Sequence, residues 1–138
     1  MTTSPSETGT VIEVHADSDV VRVRQSVRDV AMAAKLSLVD QTKLVTAASE
    51  LARNTLVYGG GGDATVRLLE RAGLIGVQVV FSDEGPGIAD VDLALTDGWT
   101  SGSGLGLGLS GTRRLVDEFD LDTAAGRGTR VTVVKWRR

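Results

Sequence analysis

A run in which every second residue is glycine, from Gly102 to Gly108, leads directly into a helical pattern that starts at Leu109. Glycine makes up 17 of the 138 residues, about twice its usual share. Such a run suits neither a helix nor a strand, whereas bare backbone N–H groups and the positive end of a following helix suit an anion. A flexible linker would contain more serine and less leucine. The run therefore favours a phosphate-binding loop over a linker.

The first part of the chain contains one strand pattern and two helix patterns. Thr10–His15 has the apolar residues of a short strand. The segment 17–19 can cap a helix whose apolar residues recur at helical spacing to about Leu36. Asp40 is predicted to cap a second helix, which ends where the glycines begin at Gly59.

The rest of the chain reads as a hairpin followed by shorter elements. Asp63–Arg71 and Gly73–Ser82 carry apolar residues at alternate positions, so they predict two strands that turn at Ala72 and Gly73. The other predicted elements are a short helix over 91–95, a mobile polar stretch over 97–104, a helix over 109–119, and strands over 120–124 and 129–136 joined by Gly126-Arg127-Gly128.

Composition limits the classes of protein. Hydrophobic residues make up 41% and charged residues 24%, which is ordinary for one globular domain, predicted here over residues 10–138. Residues 1–9 are rich in serine and threonine and lack the features of a signal peptide, so we expect a disordered tail and a cytoplasmic protein. The absence of cysteine excludes disulfides and thiolate chemistry. A net charge of −3 argues against nucleic acid and anionic membranes as partners.

Glu50 and Asn54 form the first candidate site. They are four residues apart in the second predicted helix, so their side chains share one face. An amide oxygen can ligate Mg²⁺, and a carboxylate can accept a proton from a hydroxyl or water. The same spacing is common on solvated helix surfaces. Spacing alone does not decide between a catalytic pair and a solvated polar face.

A second candidate lies at the end of a predicted strand. In Asp83-Glu84-Gly85-Pro86-Gly87-Ile88 the glycines allow a flat ligand to approach the backbone, and the carboxylate of Asp83 could accept a hydrogen bond from an exocyclic amine. Asp, Gly and Pro are also the commonest turn residues, so an ordinary turn is the alternative.

The order of the three segments resembles a known family. E-x-x-x-N on a helix, D-x-G-x-G after a strand and G-x-G-x-G before a helix are similar to the N, G1 and G2 boxes of the GHKL ATPases. Ser49–Asn54, Asp83–Ile88, Gly104–Gly108 and Thr112–Phe119 further resemble the RsbT-like serine/threonine switch kinases of bacterial stress signalling, over roughly residues 11–136. The resemblance implies the Bergerat fold, a two-layer α/β sandwich with helices on one face of a mixed, mostly antiparallel sheet, and the patterning agrees with it.

The resemblance also implies roles for individual residues. Asn54 would ligate Mg²⁺, Glu50 would act as the base or orient the nucleophile, and Asp83 would bind the adenine amino group of ATP. Thr129 would support the adenine site. The residues implied to line the base pocket are Gly85, Gly87 and Ile88, and those implied to wrap the phosphates are Gly104, Leu105, Gly106, Leu107 and Gly108, with 97–103 as a short lid.

Members of this branch phosphorylate a serine or threonine on STAS-domain antagonist or scaffold proteins, and some activate a PP2C-type phosphatase. The resemblance therefore implies an ATP-dependent protein kinase in a partner-switching stress pathway. The alternative is an anti-sigma factor that uses the same fold to hold a sigma factor. The regular alternation from Gly104 to Leu109 favours the kinase, since anti-sigma relatives commonly have a less regular glycine box.

Overall fold

The computed structural model describes residues 9–88, 95 and 108–138. The elements in chain order are β1 (Thr10–Val14), α1 (Asp17–Ala33), α2 (Leu38–Val57), β2 (Gly62–Arg71), β3 (Leu74–Asp83), α3 (Gly108–Arg114), β4 (Glu118–Thr123) and β5 (Thr129–Trp136). The predicted disordered tail, helix over 91–95 and polar stretch over 97–104 lie almost entirely outside these residues. No helix in the described ranges is long and apolar enough to cross a membrane.

The five strands form one sheet in the order β1-β2-β3-β5-β4. We predicted a mixed, mostly antiparallel sheet. In the structure every neighbouring pair of described strands is antiparallel. The predicted hairpin is present, with Ala72 at φ 52° and Gly73 at φ 83° in its turn. Positive φ at both central positions is the geometry that matches the twist of two antiparallel strands.

Helices α1 and α2 cover one face of this sheet, as expected. Val66 lies opposite Val79, which in turn lies opposite Val133, and all three are buried. Because side chains alternate across a strand, the residues two positions away extend the same apolar layer. The helices complete this core mainly with Val23, Val27, Leu44 and Leu51.

The two long helices begin differently from the prediction. Ser37, not Asp40, caps α2, because its Oγ accepts a hydrogen bond from the backbone N–H of Asp40 at 3.1 Å. In α1 the N-cap position is Ala16, and the carboxylate of Asp19 accepts from the backbone N–H groups of His15 and Ala16. The hydrogen bond from His15 is the largest cause that lowers the pKa of Asp19 below its ordinary value.

The last helix is shorter than predicted. α3 ends at Arg114, and a turn closed by Leu115 N–H on Thr112 O follows it. The chain then enters β4 at Glu118, where Phe119 pairs with Val133. The apolar residues of this segment fit a strand on the sheet edge as well as a helix face, so spacing alone misplaced the boundary.

Candidate nucleotide site

Glu50 and Asn54 lie in the last two turns of α2, and both are half-buried. Burial raises the pKa of the Glu50 carboxyl above its ordinary value, whereas the charge of Arg53 acts in the opposite direction. A carboxylate with a raised pKa is a better proton acceptor than an exposed one. The structure thus places the pair at the C-terminal end of the helix that is packed against the sheet.

The end of α2 lies directly on the end of β3. The backbone N–H groups of Tyr58 and Gly59 both donate to the carbonyl of Asn54, which closes the helix. A Cβ added at Gly59 would lie 2.4 Å from Cγ of Asp83, far inside contact distance. Only glycine fits there, so the turn after Asn54 and the carboxylate of Asp83 are held against each other.

Asp83 ends β3 and lies opposite Thr129, the first residue of β5. Residues that oppose each other in an antiparallel pair have Cβ atoms about 4.5–5.5 Å apart. Oδ1 of Asp83 accepts a hydrogen bond from the backbone N–H of Gly85 at 2.9 Å. Asp83 and Phe81 share the helix-facing side of β3, as Thr129 and Val131 do on β5. The two polar side chains therefore share the edge of the sheet at which α2 ends.

The segment 84–88 is joined to the loop between β4 and β5. The backbone N–H of Gly126 donates to Pro86 O at 2.6 Å. Gly87 has φ +73°, and a Cβ there would lie 1.9 Å from Ala124 O, so glycine is needed for both reasons. Gly128 is equally confined, since its Cβ would lie 2.4 Å from Asp83 O. The two loops form one rigid border of the site.

Thr123 is a polar residue of this border that the sequence analysis did not single out. Its Oγ1 accepts from the backbone N–H of Ile88 at 2.9 Å and lies 2.9 Å from Oγ1 of Thr129. Thr123 also pairs with Thr129 across the β4–β5 hairpin. The sequence signal for Thr123 is the predicted hairpin about Gly126-Arg127-Gly128, because pairing its two strands places Thr123 opposite Thr129.

The predicted phosphate loop is described only at its end. Gly104, Leu105, Gly106 and Leu107 lie outside the described residues. Gly108 has φ +68° and begins α3, which packs against α2. The loop therefore ends beside the helix that carries Glu50 and Asn54.

Comparison with known proteins agrees with this arrangement. Residues 39–138 match the family of histidine kinase-, DNA gyrase B- and HSP90-like ATPases. The chain belongs to this family. The match includes α2 and every later element of the GHKL ATPase domain, and thus each of the candidate site residues.

Two curated relatives of this GHKL chain are similar over most of their length. It is 39% identical over 127 residues to the serine/threonine-protein kinase RsbT of Bacillus subtilis (strain 168), covering 92% of this chain and 96% of the relative. It is 30% identical over 121 residues to the anti-sigma F factor of Clostridium novyi (strain NT), covering 80% of this chain and 85% of the relative.

The residues present are chemically suited to ATP and Mg²⁺. The close contact at Gly59 leaves only bare backbone against the carboxylate of Asp83, and the contacts at Gly87 and Gly128 leave bare backbone in the neighbouring loops, where a flat base can approach. No group of three or more His, Cys, Asp or Glu in the described ranges could hold a metal ion by itself. A Mg²⁺ ion at Asn54 would take its other ligands from phosphate oxygens and water, as Mg²⁺ commonly does.

Proposed function

We propose that this chain is an ATP-dependent serine/threonine protein kinase that phosphorylates a STAS-domain antagonist protein in a bacterial partner-switching pathway. The observation that carries the proposal is the contact between the end of α2 and Asp83, since it joins the Glu50–Asn54 pair to the base-binding edge of the sheet. The 39% identity to a serine/threonine-protein kinase over 92% of the chain supports the same function.

Binding and orientation are divided between two groups of residues. Asp83 and Thr129 hold the base, with Gly85, Gly87 and Ile88 beside it. Asn54 ligates Mg²⁺, and Gly104–Gly108 wrap the phosphates. ATP supplies the phosphoryl group, and a Mg²⁺ ion bound at Asn54 would neutralise the charge that develops during transfer. These residues contribute mainly by holding the reacting atoms in line.

Glu50 acts on the protein substrate. Its carboxylate accepts the proton of the serine or threonine hydroxyl as that oxygen bonds to the γ-phosphorus and ADP departs. Its partial burial raises the pKa of the carboxyl, which makes the carboxylate a stronger base. Asn54, one turn further along the same face of α2, would hold the Mg²⁺ ion.

The same proposal covers the organisation and partners of the chain. Residues 10–138 form the kinase domain of a cytoplasmic protein. The substrates are STAS-domain antagonist or scaffold proteins, and a second partner is a PP2C-type phosphatase that the released kinase activates.

A second candidate function is that of an anti-sigma factor, which would bind a sigma factor in a nucleotide-dependent manner. The 30% identity to an anti-sigma F factor favours it. In that case the same nucleotide site would act as a switch for binding.

Phosphate transfer from γ-labelled ATP with Mg²⁺ to a STAS-domain protein encoded beside this gene tests the proposal. We expect labelling by the native chain, and a loss of about 10²–10⁴-fold in Glu50→Gln, with ATP still bound. Asn54→Ala should lose both transfer and Mg²⁺-dependent binding. Glu70→Gln, at an exposed position near the hairpin turn, is the matched control.

Two outcomes would contradict this function. Transfer that survives in Glu50→Gln would remove the proposed base. ATP-dependent capture of a sigma factor, without labelling of any STAS-domain protein, would favour the anti-sigma function instead.

A further inference from the structure

Three polar side chains form a row across the sheet at the candidate site. Asp83 lies opposite Thr129 in the β3–β5 pair, and Thr129 lies opposite Thr123 in the β4–β5 pair. Opposed residues point to the same side of a sheet, so all three side chains are on the side that the helices cover. The proposed function assigns a role to the first two and leaves Thr123 without one.

The hydrogen bonds of Thr123 have a fixed direction. Its Oγ1 is 2.9 Å from the carbonyl oxygen of Gly128, which can only accept, so the single proton of Thr123 is donated there. The backbone N–H of Ile88 donates to the same Oγ1 at 2.9 Å. The remaining neighbour is the hydroxyl of Thr129 at 2.9 Å, which must then be the donor in that contact.

The direction of these bonds determines what Thr129 presents to a ligand. A threonine hydroxyl has one proton and two acceptor sites. Because its proton is used on Thr123, Thr129 offers only lone pairs. The carboxylate oxygens of Asp83 are also acceptors, so this edge of the site consists of acceptors and favours a group that carries two N–H donors.

We propose that Thr123 is a positioning residue that sets the base specificity of the nucleotide site by fixing the hydroxyl of Thr129 as an acceptor. The matching ligand group is an exocyclic amine, as on a 6-aminopurine. A 6-oxopurine would place an acceptor against acceptors and is rejected. This inference rests on the proposed function only in that the site binds a nucleotide.

Removing the hydroxyl of Thr123 changes this selection without changing the shape of the side chain. In Thr123→Val the hydroxyl of Thr129 is free to rotate, and it can donate to a carbonyl oxygen as well as accept from an amine. Thr123→Ser keeps both the proton and the acceptor sites. The inference therefore concerns discrimination between bases, which a merely structural residue would not alter.

The test compares the dissociation constants of ATP and ITP, each with Mg²⁺, by isothermal titration calorimetry. ITP differs from ATP in the 6-oxo group and the N1 proton. We expect the native chain and Thr123→Ser to prefer ATP, and we expect the preference to fall by about tenfold in Thr123→Val, the worth of roughly one hydrogen bond. Thr65→Val, a half-buried strand position on the opposite face of the sheet, should keep the native ratio.

A second variant tests the inference if Thr123→Val does not fold. Thr129→Val removes the acceptor itself and should lose the same preference. Where both single variants fold, the double variant should lose no more than either one, because the two hydroxyls act as one unit.

The outcomes separate the inference from the proposed function. A native chain that binds neither nucleotide overturns both. A native preference for ATP that Thr123→Val retains, or equal weakening of ATP and ITP in that variant, overturns the inference and leaves the kinase proposal standing. A native chain without preference for ATP also overturns it.

Discussion

The two ends of α2 satisfy their polar groups in different ways. At the start of the helix, which we call the closed end, Lys135 lies between Asp40 and Asp117, with Nζ 3.6 Å and 3.5 Å from their Oδ1 atoms. Asp117 also accepts from the backbone N–H of Trp136 at 2.7 Å and pairs with Arg138. The buried charges there are paired with one another.

At the opposite end, which we call the nucleotide end, the charge of Arg53 acts on Glu50 to lower its pKa, against the effect of burial. No ion pair between described residues includes Glu50 or Asp83. At Gly59 the backbone lies so close to the side chain of Asp83 that only glycine fits. The start of α2 is therefore closed by its own charged residues. The end of α2 keeps hydrogen-bond acceptors available for a ligand, as a binding site must.

The largest effect on stability is expected at the closed end. Lys135 is only 5% exposed, so Lys135→Met leaves the buried carboxylate of Asp40 without its cation, whereas the half-buried Asp117 keeps Arg138. Breaking a buried pair in this way costs about 3–5 kcal/mol. Urea unfolding should show this loss, while the ATP affinity of the folded variant stays at the native value.

Lys43→Met is the control for that substitution, because Lys43 is exposed on the same helix. It should change the free energy of unfolding by less than about 0.5 kcal/mol. A Lys135→Met chain of native stability would contradict the view that the closed end depends on paired charge.

The next largest effect separates backbone strain from close approach at the nucleotide end. Gly73 and Gly87 have similar positive φ values of +83° and +73°, but only Gly87 has an atom within 4 Å of the added Cβ, Ala124 O at 1.9 Å. Gly73→Ala should cost about 1–2 kcal/mol from strain alone. Gly87→Ala should cost about 2–3 kcal/mol, because the hydrogen bond between Gly126 and Pro86 is also lost.

The two glycine variants should differ most in nucleotide binding. Calorimetric titration should find native ATP affinity in Gly73→Ala and strongly reduced affinity in Gly87→Ala. Equal affinities in the two variants would argue against a rigid border around the base.

A smaller effect is expected from the cap at the start of α2. Ser37→Ala removes the acceptor for the backbone N–H of Asp40, which should lower the free energy of unfolding by about 1 kcal/mol. Ser18→Ala, at an exposed position in the first turn of α1, is the matched control and should have little effect. Urea midpoints of the two variants measure the difference. Equal midpoints would show that the side chain of Ser37 does not stabilise the start of α2.

The sequence predicted elements better than it predicted the partners of single residues. The hairpin from β2 to β3 and the helix that carries Glu50 and Asn54 were correct, because strong alternation and helical spacing are local properties. The misplaced cap was a local error, since Ser37 is itself a preferred cap residue three positions before the carboxylate of Asp40. That carboxylate turns toward Lys135, a residue of the last strand, and spacing near position 40 carries no trace of this contact.

The residues of the candidate site differ in how local their sequence signals are. Asp83 could be proposed from the segment that contains it. Thr123 could be placed opposite Thr129 only by pairing the predicted hairpin about Gly126-Arg127-Gly128, and its contacts with Ile88 and Gly128 have no local signal in the sequence. Periodicity shows which face of a strand is apolar, but it does not show which distant residues form hydrogen bonds with one another.

The smallest predicted effect concerns the free energy of unfolding at the nucleotide end and its dependence on pH. Burial raises the pKa of Glu50 in the folded chain above the ordinary glutamate value of about 4.5. The folded state therefore holds this proton more tightly than the unfolded state, and stability falls as the pH rises from about 4.5 through the folded pKa. At neutral pH the native chain carries a partly buried charge that Glu50→Gln lacks.

Glu50→Gln should thus be more stable than the native chain at pH 7, by less than about 1 kcal/mol because solvent screens a half-exposed carboxylate. The difference should shrink as the pH falls below the ordinary pKa of a glutamate. Urea midpoints measured from pH 7 to pH 4 test this, with the exposed Glu70→Gln as control. A variant that gains stability at neutral pH while losing phosphate transfer would identify Glu50 as a group kept for activity at the expense of stability. A loss of stability at pH 7 would instead place Glu50 with the closed end, as a charge that its surroundings already satisfy.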